Sequence, residues 1–252
     1  MTLSNSKWKR VKRYFWSALV VSLLADVPVV SASEPVRLWI QSIFGSRQTH
    51  THFKPFFDEA FSSTGRSYKT FYSNDFEALR QHCRHQHYDV IMGSYSAAMQ
   101  RIEQDCGYLR VAYTVQPIHL YTRAGQSLAD IRRVGIVPGI RAADVEFESV
   151  IPGEASTAPF RNHIAATLAL LEGEIDALSS APVAIQRLSP KLKDRLVIAH
   201  TFKDSGQGVA LLSPQFLASD EGEAFRQFVL SNGETSRRIY VDGMGISLWH
   251  AP

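Results

Sequence analysis

The sequence lacks the short motifs that mark several common classes of enzyme. Its 252 residues contain no glycine-rich Walker-type loop, no Gly-x-Ser-x-Gly elbow and no His-Glu-x-x-His pair, so nothing indicates a P-loop nucleotidase, a serine hydrolase or a zinc peptidase. It also lacks low-complexity stretches, and its hydrophobic share of 45% and charged share of 20% are ordinary for a globular protein. We therefore expect a folded protein that is not an enzyme, with no cofactor and no metal site.

Cysteine is scarce, since the chain has only Cys83 and Cys106. In an oxidising compartment the two could form one disulfide. The sequence does not show that their Cα atoms come within disulfide range. Two buried free thiols are therefore the alternative.

The chain also lacks an apolar run long enough to cross a bilayer comfortably. Its N-terminus instead has a basic block at Lys7–Arg13, an apolar segment at Tyr14–Ala25 and small residues at Val27–Ser33. Basic, then apolar, then small is the order of a cleavable secretory signal. We predict cleavage after Ala32, with Ser33 as the alternative site, and export to the periplasm; a buried N-terminal helix is the alternative to a signal. No cysteine follows the predicted cleavage site, so we expect no lipid anchor.

The positive net charge of the chain comes from that N-terminal segment, so its removal would leave a nearly neutral protein. The whole chain has a formal net charge of +3, but residues 1–32 carry five Lys or Arg and one Asp. The remainder keeps 22 basic and 23 acidic residues, for a net charge of −1. This balance gives no sign of a nucleic-acid partner.

What is present is an alternation of strand-like and helix-like segments. Apolar runs at Val36–Phe44, Ser67–Ser73 and Tyr88–Gly93 predict strands, and the segments between them predict helices. The same alternation returns in the second part of the chain and predicts a second α/β set. We therefore expect an α/β fold with two lobes, each a mostly parallel sheet flanked by helices. Extended segments near 113–118 and 202–207 would join the lobes.

Two crossings between the lobes make the first lobe discontinuous. We predict lobe 1 from residues 33–115 and 204–252, with lobe 2 at 116–203 between these parts. The C-terminal part of lobe 1 would contain a returning strand and the last helices. The ligand cleft would lie between the lobes.

Two stretches repeat one pattern, Tyr88–Ile102 and Ile175–Leu188. Each has an aspartate, a short apolar run, small polar residues and a helical segment that reaches Gln-Arg. Ligands in open α/β sheets bind beyond the carboxyl ends of strands, so each lobe is predicted to offer a strand, a polar turn and a helix start to one cleft. Asp89 and Asp176 precede their strands, at the far end, which predicts a structural role rather than acid–base chemistry.

The order of several motifs resembles that of the type II periplasmic solute-binding proteins, and among them the phosphate, phosphite and phosphonate binders of ABC importers. In the first lobe of that group, a glycine, an Asp-aromatic helix start and a strand-ending tyrosine correspond to Gly65, Asp75–Phe76 and Tyr95 here. In the second lobe, a histidine opens a helix that ends in Gly-x-x-Asp, corresponding to His163 and Gly173–Asp176. The similarity covers most of the chain after the signal.

The resemblance implies a monomer that captures a small anionic ligand, similar to phosphate or phosphonate, by hinge closure. Its partners would be the permease subunits of an ABC importer. In the alternative, the protein is a sensory accessory protein that presents its ligand to a histidine kinase.

One segment departs from the family pattern. Phosphonate binders usually have a hydroxyl-rich turn at a helix start of the second lobe, where this chain has VPGIRAADVEF, with Gly139 to Arg141 in place of the hydroxyls. This departure places phosphonate itself in doubt. Backbone N–H groups could still hold an anion there, and the Arg141 guanidinium could add a two-pronged hydrogen bond.

The candidate ligand contacts are hydroxyl, imidazole and guanidinium groups at the predicted strand ends and helix starts. They are Ser94, Tyr95, Ser96, Arg141, His163, Ser179 and Ser180. The serines have an alternative role as helix N-caps, with Ser94 as the cap of the helix that follows it. His163 could instead be a packed or solvated histidine, and Arg141 an exposed surface arginine.

Two further clusters carry alternatives of their own. The histidines in His82–His87 put two ligands at most on one helix face, which is fewer than a closed zinc site needs, so we predict a solvated basic face.

Some relatives of the family sense arsenite through a cysteine. A thiolate of Cys106 would suit that ligand, and a disulfide or a core thiol is the alternative.

Overall fold

The computed structural model describes residues 34–252 apart from 86, 148, 152 and 187, with the backbone alone at 184 and 203–206. The predicted signal peptide lies outside the described residues. Residues 35–252 form one compact unit. Within the described part of the chain, no helix has both the length and the apolar character that crossing a bilayer requires.

Eight strands form one sheet in the order β2-β1-β3-β8-β4-β7-β5-β6. The strands are β1 Val36–Gln41, β2 Tyr68–Ser73, β3 Val90–Ser94, β4 Leu109–Arg123, β5 Arg133–Ile136, β6 Ser156–Pro159, β7 Ala177–Ser180 and β8 Leu196–Leu212. The α-helices are α1 Ser46–Ser62, α2 Phe76–Cys83, α3 Ala97–Cys106, α4 His163–Glu172, α5 Val183–Gln186, α6 Pro190–Lys193, α7 Pro214–Leu217, α8 Asp220–Ser231 and α9 Glu234–Ser236. Two 3-10 turns, Leu128–Asp130 and Arg141–Ala143, and a π-helix, Arg237–Asp242, complete the elements.

Both ends of the sheet are parallel, as predicted. Strand β1 pairs in parallel with β2 and β3, and β5 pairs in parallel with β6 and β7. Each parallel set is bordered by one antiparallel strand, β8 beside β3 and β4 beside β7. The α/β fold class is therefore confirmed.

The middle of the sheet differs from the prediction in one respect. The sequence predicts separate strands on either side of Pro117 and on either side of residues 203–206, whereas β4 and β8 each run through without a break. The two strands pair with each other along their length, and their register shifts between Gln116 and Ile118. A bulge accommodates a proline, which has no N–H to donate, so the chain continues where Pro117 suggested a stop.

Three hydrophobic clusters follow a division of the molecule at this register shift, except that Ala181 and Val183 pack with a cluster of the other side. We call residues 35–115 and 207–252 the first half, and residues 118–202 the second half. In the first half the clusters pack on opposite faces of the sheet, so that the neighbouring β1 residues Leu38 and Trp39 belong to different clusters. The second half has its own cluster, in which Leu170 of α4 packs with Leu178 of β7.

The spacing of large apolar residues in α4 suggests that Ile164, Leu168 and Leu171 face the core, but only Leu171 is buried. Ile164 and Leu168 are 41% and 44% exposed, while Ala166 and Leu170 are fully buried. The helix is apolar on most sides, so the spacing of its large residues does not single out one face. Small side chains let the helix lie close to the sheet.

A disulfide joins Cys83 at the end of α2 to Cys106 at the end of α3, with 5.7 Å between the Cα atoms. Of the two alternatives for the cysteines, the structure has the paired one. Neither cysteine is a free thiol, so a thiolate site for arsenite lacks its ligands in this structure.

Candidate functional site

A cavity lies where the two halves meet, beyond the carboxyl ends of β1 and β3. Its walls come from both halves, including Gln41 and Ser94 on one side and Arg141 and His163 on the other. It encloses about 70 Å³ that a water-sized molecule can occupy. One water needs roughly 10–15 Å³ by this kind of measure, so the cavity has room for several waters or one small ligand.

A short chain of hydrogen bonds crosses from the first half to the second at the cavity wall. The Gln41 side-chain oxygen accepts from the Ser94 backbone N–H at 2.7 Å. The Ser94 hydroxyl in turn accepts from the Arg141 backbone N–H at 2.9 Å. Gly93 makes room for this arrangement, because a Cβ there would lie 3.0 Å from the Gln41 side chain. Ser94 therefore joins the halves and does not cap a helix.

His163 is buried at the first turn of α4, where the Asn162 side chain caps the helix by accepting from Ala165 N. Its Nδ1 lies 2.9 Å from the hydroxyl of Ser180. Burial lowers the pKa of the His163 imidazole to about 4. The ring is therefore neutral at pH 7 and offers a hydrogen bond rather than a charge.

The two predicted serines of the second repeat stand behind the cavity wall. Both are fully buried. The Ser179 hydroxyl donates to the Ala142 carbonyl at 2.6 Å and so holds the 3-10 turn that carries Arg141. Ser180 is the partner of His163. The structure thus places these hydroxyls where they support two lining residues.

Tyr95 and Ser96 lie away from the cavity. The Tyr95 hydroxyl donates to Glu103 at 2.7 Å, and the Arg110 guanidinium lies 3.8 Å from the centre of its ring. Ser96 is the N-cap of α3, accepting from Met99 N. Residues that follow one another along an extended chain point to opposite faces, so Tyr95 turns away from the side that Ser94 faces.

Sequence reasoning missed an aromatic part of the cavity wall. Phe53 and Phe57 of α1 lie there together with Tyr240 and Trp249 from the end of the chain. Ring centroids are 5.9 Å apart for Phe53 and Tyr240 and 5.0 Å apart for Tyr240 and Trp249. Nothing local marks these residues, since α1 and the C-terminal segment meet only in the folded chain. Gln41 was also missed, although a polar residue at the end of an apolar strand run is a usable signal.

The halves are in direct contact around the cavity. The Asp144 carboxylate accepts from the Ala97 N–H, at the start of α3, at 2.9 Å. The Asn74 side chain donates to the Arg161 carbonyl at 3.1 Å. Gly139 lies so close to Phe76 that a Cβ on it would be 2.3 Å from the ring. The cavity is therefore enclosed by contacts between the two halves.

The two aspartates of the repeated pattern have the same structural role, as predicted. Asp89 precedes β3 and accepts from the Arg37 N–H in the neighbouring strand β1 at 2.7 Å. Asp176 precedes β7 and accepts from the N–H groups of Arg132 and Arg133, at the start of β5, at 2.9 Å each. Each carboxylate fixes the start of an adjacent parallel strand, at the end of the sheet away from the cavity.

The histidine-rich segment does not gather a metal site among the described residues. No group of three or more His, Cys, Asp or Glu side chains is arranged there or elsewhere in the described chain to hold a metal ion. His82 and His87 lie ring to ring at 5.6 Å, and both are exposed.

No protein-family model matches the chain, and no curated protein matches it. Solved structures do match. PA3383 from Pseudomonas aeruginosa, a binding protein component of an ABC phosphonate transporter, aligns with a TM-score of 0.63 and 16% identity over 87% of this chain and 82% of that one. PhnD1 from Prochlorococcus marinus, in complex with methylphosphonate, aligns with a TM-score of 0.67 and 11% identity over 86% and 92%.

A further match is a double mutant of the BvgS VFT2 domain from Bordetella pertussis, with a TM-score of 0.58 and 14% identity over 88% of this chain and 96% of that one. At these identities the similarity establishes the fold. The chain has the two-lobed type II periplasmic binding fold.

Proposed function

We propose that this chain is an exported periplasmic solute-binding protein that closes around a small anionic ligand. The observation that carries the proposal is the cavity, about 70 Å³, whose largely apolar wall includes polar side chains from both halves. A ligand that contacts both halves favours the closed arrangement over an open one. A membrane partner can then distinguish the loaded protein from the empty one.

The ligand-binding residues in this proposal are Ser94, Arg141 and His163, with the addition of Gln41. Arg141 supplies the positive charge. Neutral His163 and the Gln41 amide supply hydrogen bonds without adding charge. Ser94 links the two walls. Ligand selectivity then rests on one cation and several neutral donors.

The other predicted contacts take supporting roles. Ser179 holds the turn that carries Arg141, and Ser180 orients His163. Ser96 caps a helix. Tyr95 would have to give up its hydrogen bond to Glu103 before it could reach a ligand, so we do not place it in the proposed first contacts.

We place the hinge at the two crossings of the chain between the halves. After removal of residues 1–32, lobe 1 would consist of 33–115 and 204–252, and lobe 2 of 116–203. The register shift between Gln116 and Ile118 supports this position, because a bulge interrupts the ladder of hydrogen bonds that stiffens a strand pair.

Transport through the permease subunits of an ABC importer is the activity we propose for the closed protein, with no catalytic step. PA3383 is a component of such a transporter. The alternative is presentation of the ligand to a sensor kinase, and it is favoured by the similarity to the BvgS VFT2 domain. Uptake of labelled ligand by cells lacking this protein separates the two: transport predicts loss of uptake, and sensing predicts normal uptake with a lost transcriptional response.

The binding step is tested with the protein expressed as the full chain and purified. A thermal-shift screen against phosphate, phosphite, methylphosphonate, a sulfonate, short carboxylates, and neutral and cationic solutes identifies ligands. Calorimetric titration then compares wild type with Arg141→Ala and with Arg101→Ala, an exposed arginine on α3. A hydrogen bond to a charged group contributes about 1.5–3 kcal/mol, so Arg141→Ala should bind at least tenfold more weakly and Arg101→Ala should bind normally.

Two results would contradict the proposal. One is stabilisation by neutral or cationic solutes alone. The other is an anion that binds equally well to wild type and to Arg141→Ala.

A further inference from the structure

The polar side chains on the first-half wall of the cavity have their oxygen atoms engaged by donors of the chain itself. The Gln41 side-chain oxygen accepts from the Ser94 N–H at 2.7 Å, and the Ser94 hydroxyl oxygen accepts from the Arg141 N–H at 2.9 Å. Gln41 is left with the two N–H groups of its amide, and Ser94 with its O–H. Both side chains line the cavity, so what they offer to a bound molecule is mainly donors.

His163, on the wall of the second half, has one of its ring nitrogens engaged in the same way. Its Nδ1 lies 2.9 Å from the Ser180 hydroxyl. Ser180 is fully buried, and the imidazole is the one partner of its hydroxyl that the described part of the chain provides. If Nδ1 carried the ring hydrogen, the hydroxyl would have to accept it, and the hydroxyl's own hydrogen would be buried without an acceptor, which is unfavourable. The Ser180 O–H therefore donates to Nδ1.

The hydrogen bond from Ser180 determines what the other ring nitrogen of His163 carries. Burial keeps the ring neutral at pH 7, with a pKa of about 4. In a neutral imidazole whose Nδ1 accepts, the hydrogen is on Nε2. Nε2 has no partner among the residues that the structure describes, yet it is not among their fully enclosed atoms that lack a partner, so part of its surface is open. Because His163 lines the cavity, a third neutral donor faces it.

The rest of the cavity wall offers few fixed acceptors. Most of it is apolar, and no Asp or Glu belongs to its described lining. Thr114 is fully buried, and its hydroxyl oxygen accepts from the Gly208 N–H at 3.2 Å. The Gln116 amide can present either its N–H or its oxygen. A wall with this surplus of donors fits oxygen atoms that carry no hydrogen, because a hydroxyl group held against donors loses the acceptor it had in water.

We propose, on the basis of the function proposed above, that Ser180 fixes His163 as a donor to the cavity and that the ligand is a small organic anion whose oxygens carry no hydrogen, a sulfonate or a carboxylate. The ligand oxygens accept from His163, Gln41 and Ser94, and the organic body lies against the apolar wall. Ser180 is a positioning residue, since it acts on the ligand only through His163. A singly charged phosphonate has the shape of a sulfonate but carries one hydroxyl, which these donors leave unpaired.

The tautomer of His163 is tested first, on the purified full chain without ligand. Nitrogen-15 NMR of histidine-labelled protein at about pH 7 separates ring nitrogens that carry a hydrogen from those that do not, and the spectrum of His163→Gln identifies the signals of His163. We expect hydrogen on Nε2 and none on Nδ1 in wild type, and a mixture of the two forms in Ser180→Ala. His119, whose Nδ1 lies 2.9 Å from the Thr201 hydroxyl outside the cavity, should give the same signals in both proteins.

Ligand selectivity is tested by calorimetric titration with alkanesulfonates and alkylphosphonates, from methyl to butyl, compared at equal chain length. At about pH 6 the members of each pair are alike in shape and mainly singly charged, and the phosphonate alone has a hydroxyl. In wild type we expect the sulfonate, and the alkanoate of the same chain length, to bind at least about tenfold more tightly than the phosphonate. Ser180→Ala should reduce this ratio to below about threefold, because Nε2 of His163 can then also accept. Thr122→Val, which removes a fully buried hydroxyl outside the cavity, should keep the wild-type ratio.

The failures of the two proposals are distinguishable. An alkylphosphonate that binds as tightly as the sulfonate of its chain length, or more tightly, overturns this inference and leaves the proposed function in place. The inference is also overturned by a hydrogen on Nδ1 of His163 in wild type, by a wild-type ratio in Ser180→Ala, or by failure of every sulfonate and alkanoate to bind. Absence of binding by every anion, including those of the wider panel, overturns the proposed function itself.

Discussion

Adding a single methyl group at Gly139 should prevent the two halves from closing fully. A Cβ at this position would lie 2.3 and 2.4 Å from two carbons of the Phe76 ring. Real Cβ atoms essentially never come within 3.0 Å of another atom in this way. The ring cannot swing aside freely, because Phe76 is 9% exposed and packs edge-on against Trp39 at 5.3 Å. Gly139→Ala must therefore displace the turn of the second half from the first.

The size of the effect follows from two contributions. Gly139 has a φ of +81°, where an L-residue costs about 1–2 kcal/mol. Gly125 has nearly the same φ, +84°, with nothing within 4 Å of a Cβ, so Gly125→Ala carries this backbone cost alone. Forcing a methyl into a packed contact adds about 1–3 kcal/mol, and in Gly139→Ala that cost falls on the closed state. Since 1.4 kcal/mol is tenfold in affinity, we expect about thirtyfold weaker ligand binding in Gly139→Ala.

The assay is calorimetric titration of wild type and both variants with whichever anion binds. Small-angle X-ray scattering under the same conditions should show a larger radius of gyration for Gly139→Ala than for wild type. Gly125→Ala should match wild type in both measurements. Equal affinities for the two alanine variants would refute the idea that contact between Gly139 and Phe76 belongs to the ligand-bound state.

Two further predictions concern stability. His163 is neutral when folded, with a pKa of about 4 against 6.5 for an ordinary histidine. Between these values the unfolded state binds a proton that the folded state does not, so the free energy of unfolding falls as the pH falls, by up to roughly 1.4 kcal/mol per pH unit. Urea unfolding at about pH 7 and about pH 4.5 measures how far the free energy of unfolding falls between these two pH values. This fall should be about 2 kcal/mol smaller for His163→Gln than for wild type. An equal fall in the two proteins would contradict the buried neutral ring. The double variant Cys83→Ser/Cys106→Ser opens a loop with a sequence separation of 23. Its free energy of unfolding, measured with urea, should be about 3 kcal/mol lower than that of wild type. A decrease below about 1 kcal/mol would contradict a native disulfide.

The sequence predicts the periodic features of the fold well, because they depend on local chemistry. Apolar runs predicted β1, β2 and β3 of the first parallel set and β5 and β7 of the second, whereas β6, Ser156–Pro159, was not predicted. Asp75 was correctly expected at the start of α2, where it accepts from Ala78 N. The structural role of Asp89 and Asp176 also follows from position, since a residue before a parallel strand lies opposite the ligand side of the sheet. The continuity of β4 through Pro117 was not predictable, because it depends on pairing with a strand about 80 residues later in the chain.

The candidate site was predicted only in part, for a comparable reason. Ser94, Arg141 and His163 lie at strand ends and helix starts, and the structure brings all three to one cavity. Strand alternation alone could have separated Tyr95 from Ser94. Tyr240 and Trp249 carry no such signal. They come from a C-terminal segment whose position depends on its packing against α1 and on two hydrogen bonds between the Asn232 side chain and the Trp249 backbone.

The most direct test of the central claim is a crystal structure of the purified protein with a bound anion identified in the screen. We predict electron density for one small molecule inside the cavity, within hydrogen-bonding distance of Arg141 and His163. The bond between the Ser94 hydroxyl and the Arg141 N–H should remain in place. Density elsewhere, for example in the surface depression beside Arg47 and Arg238, with an empty cavity between the halves, would contradict the account.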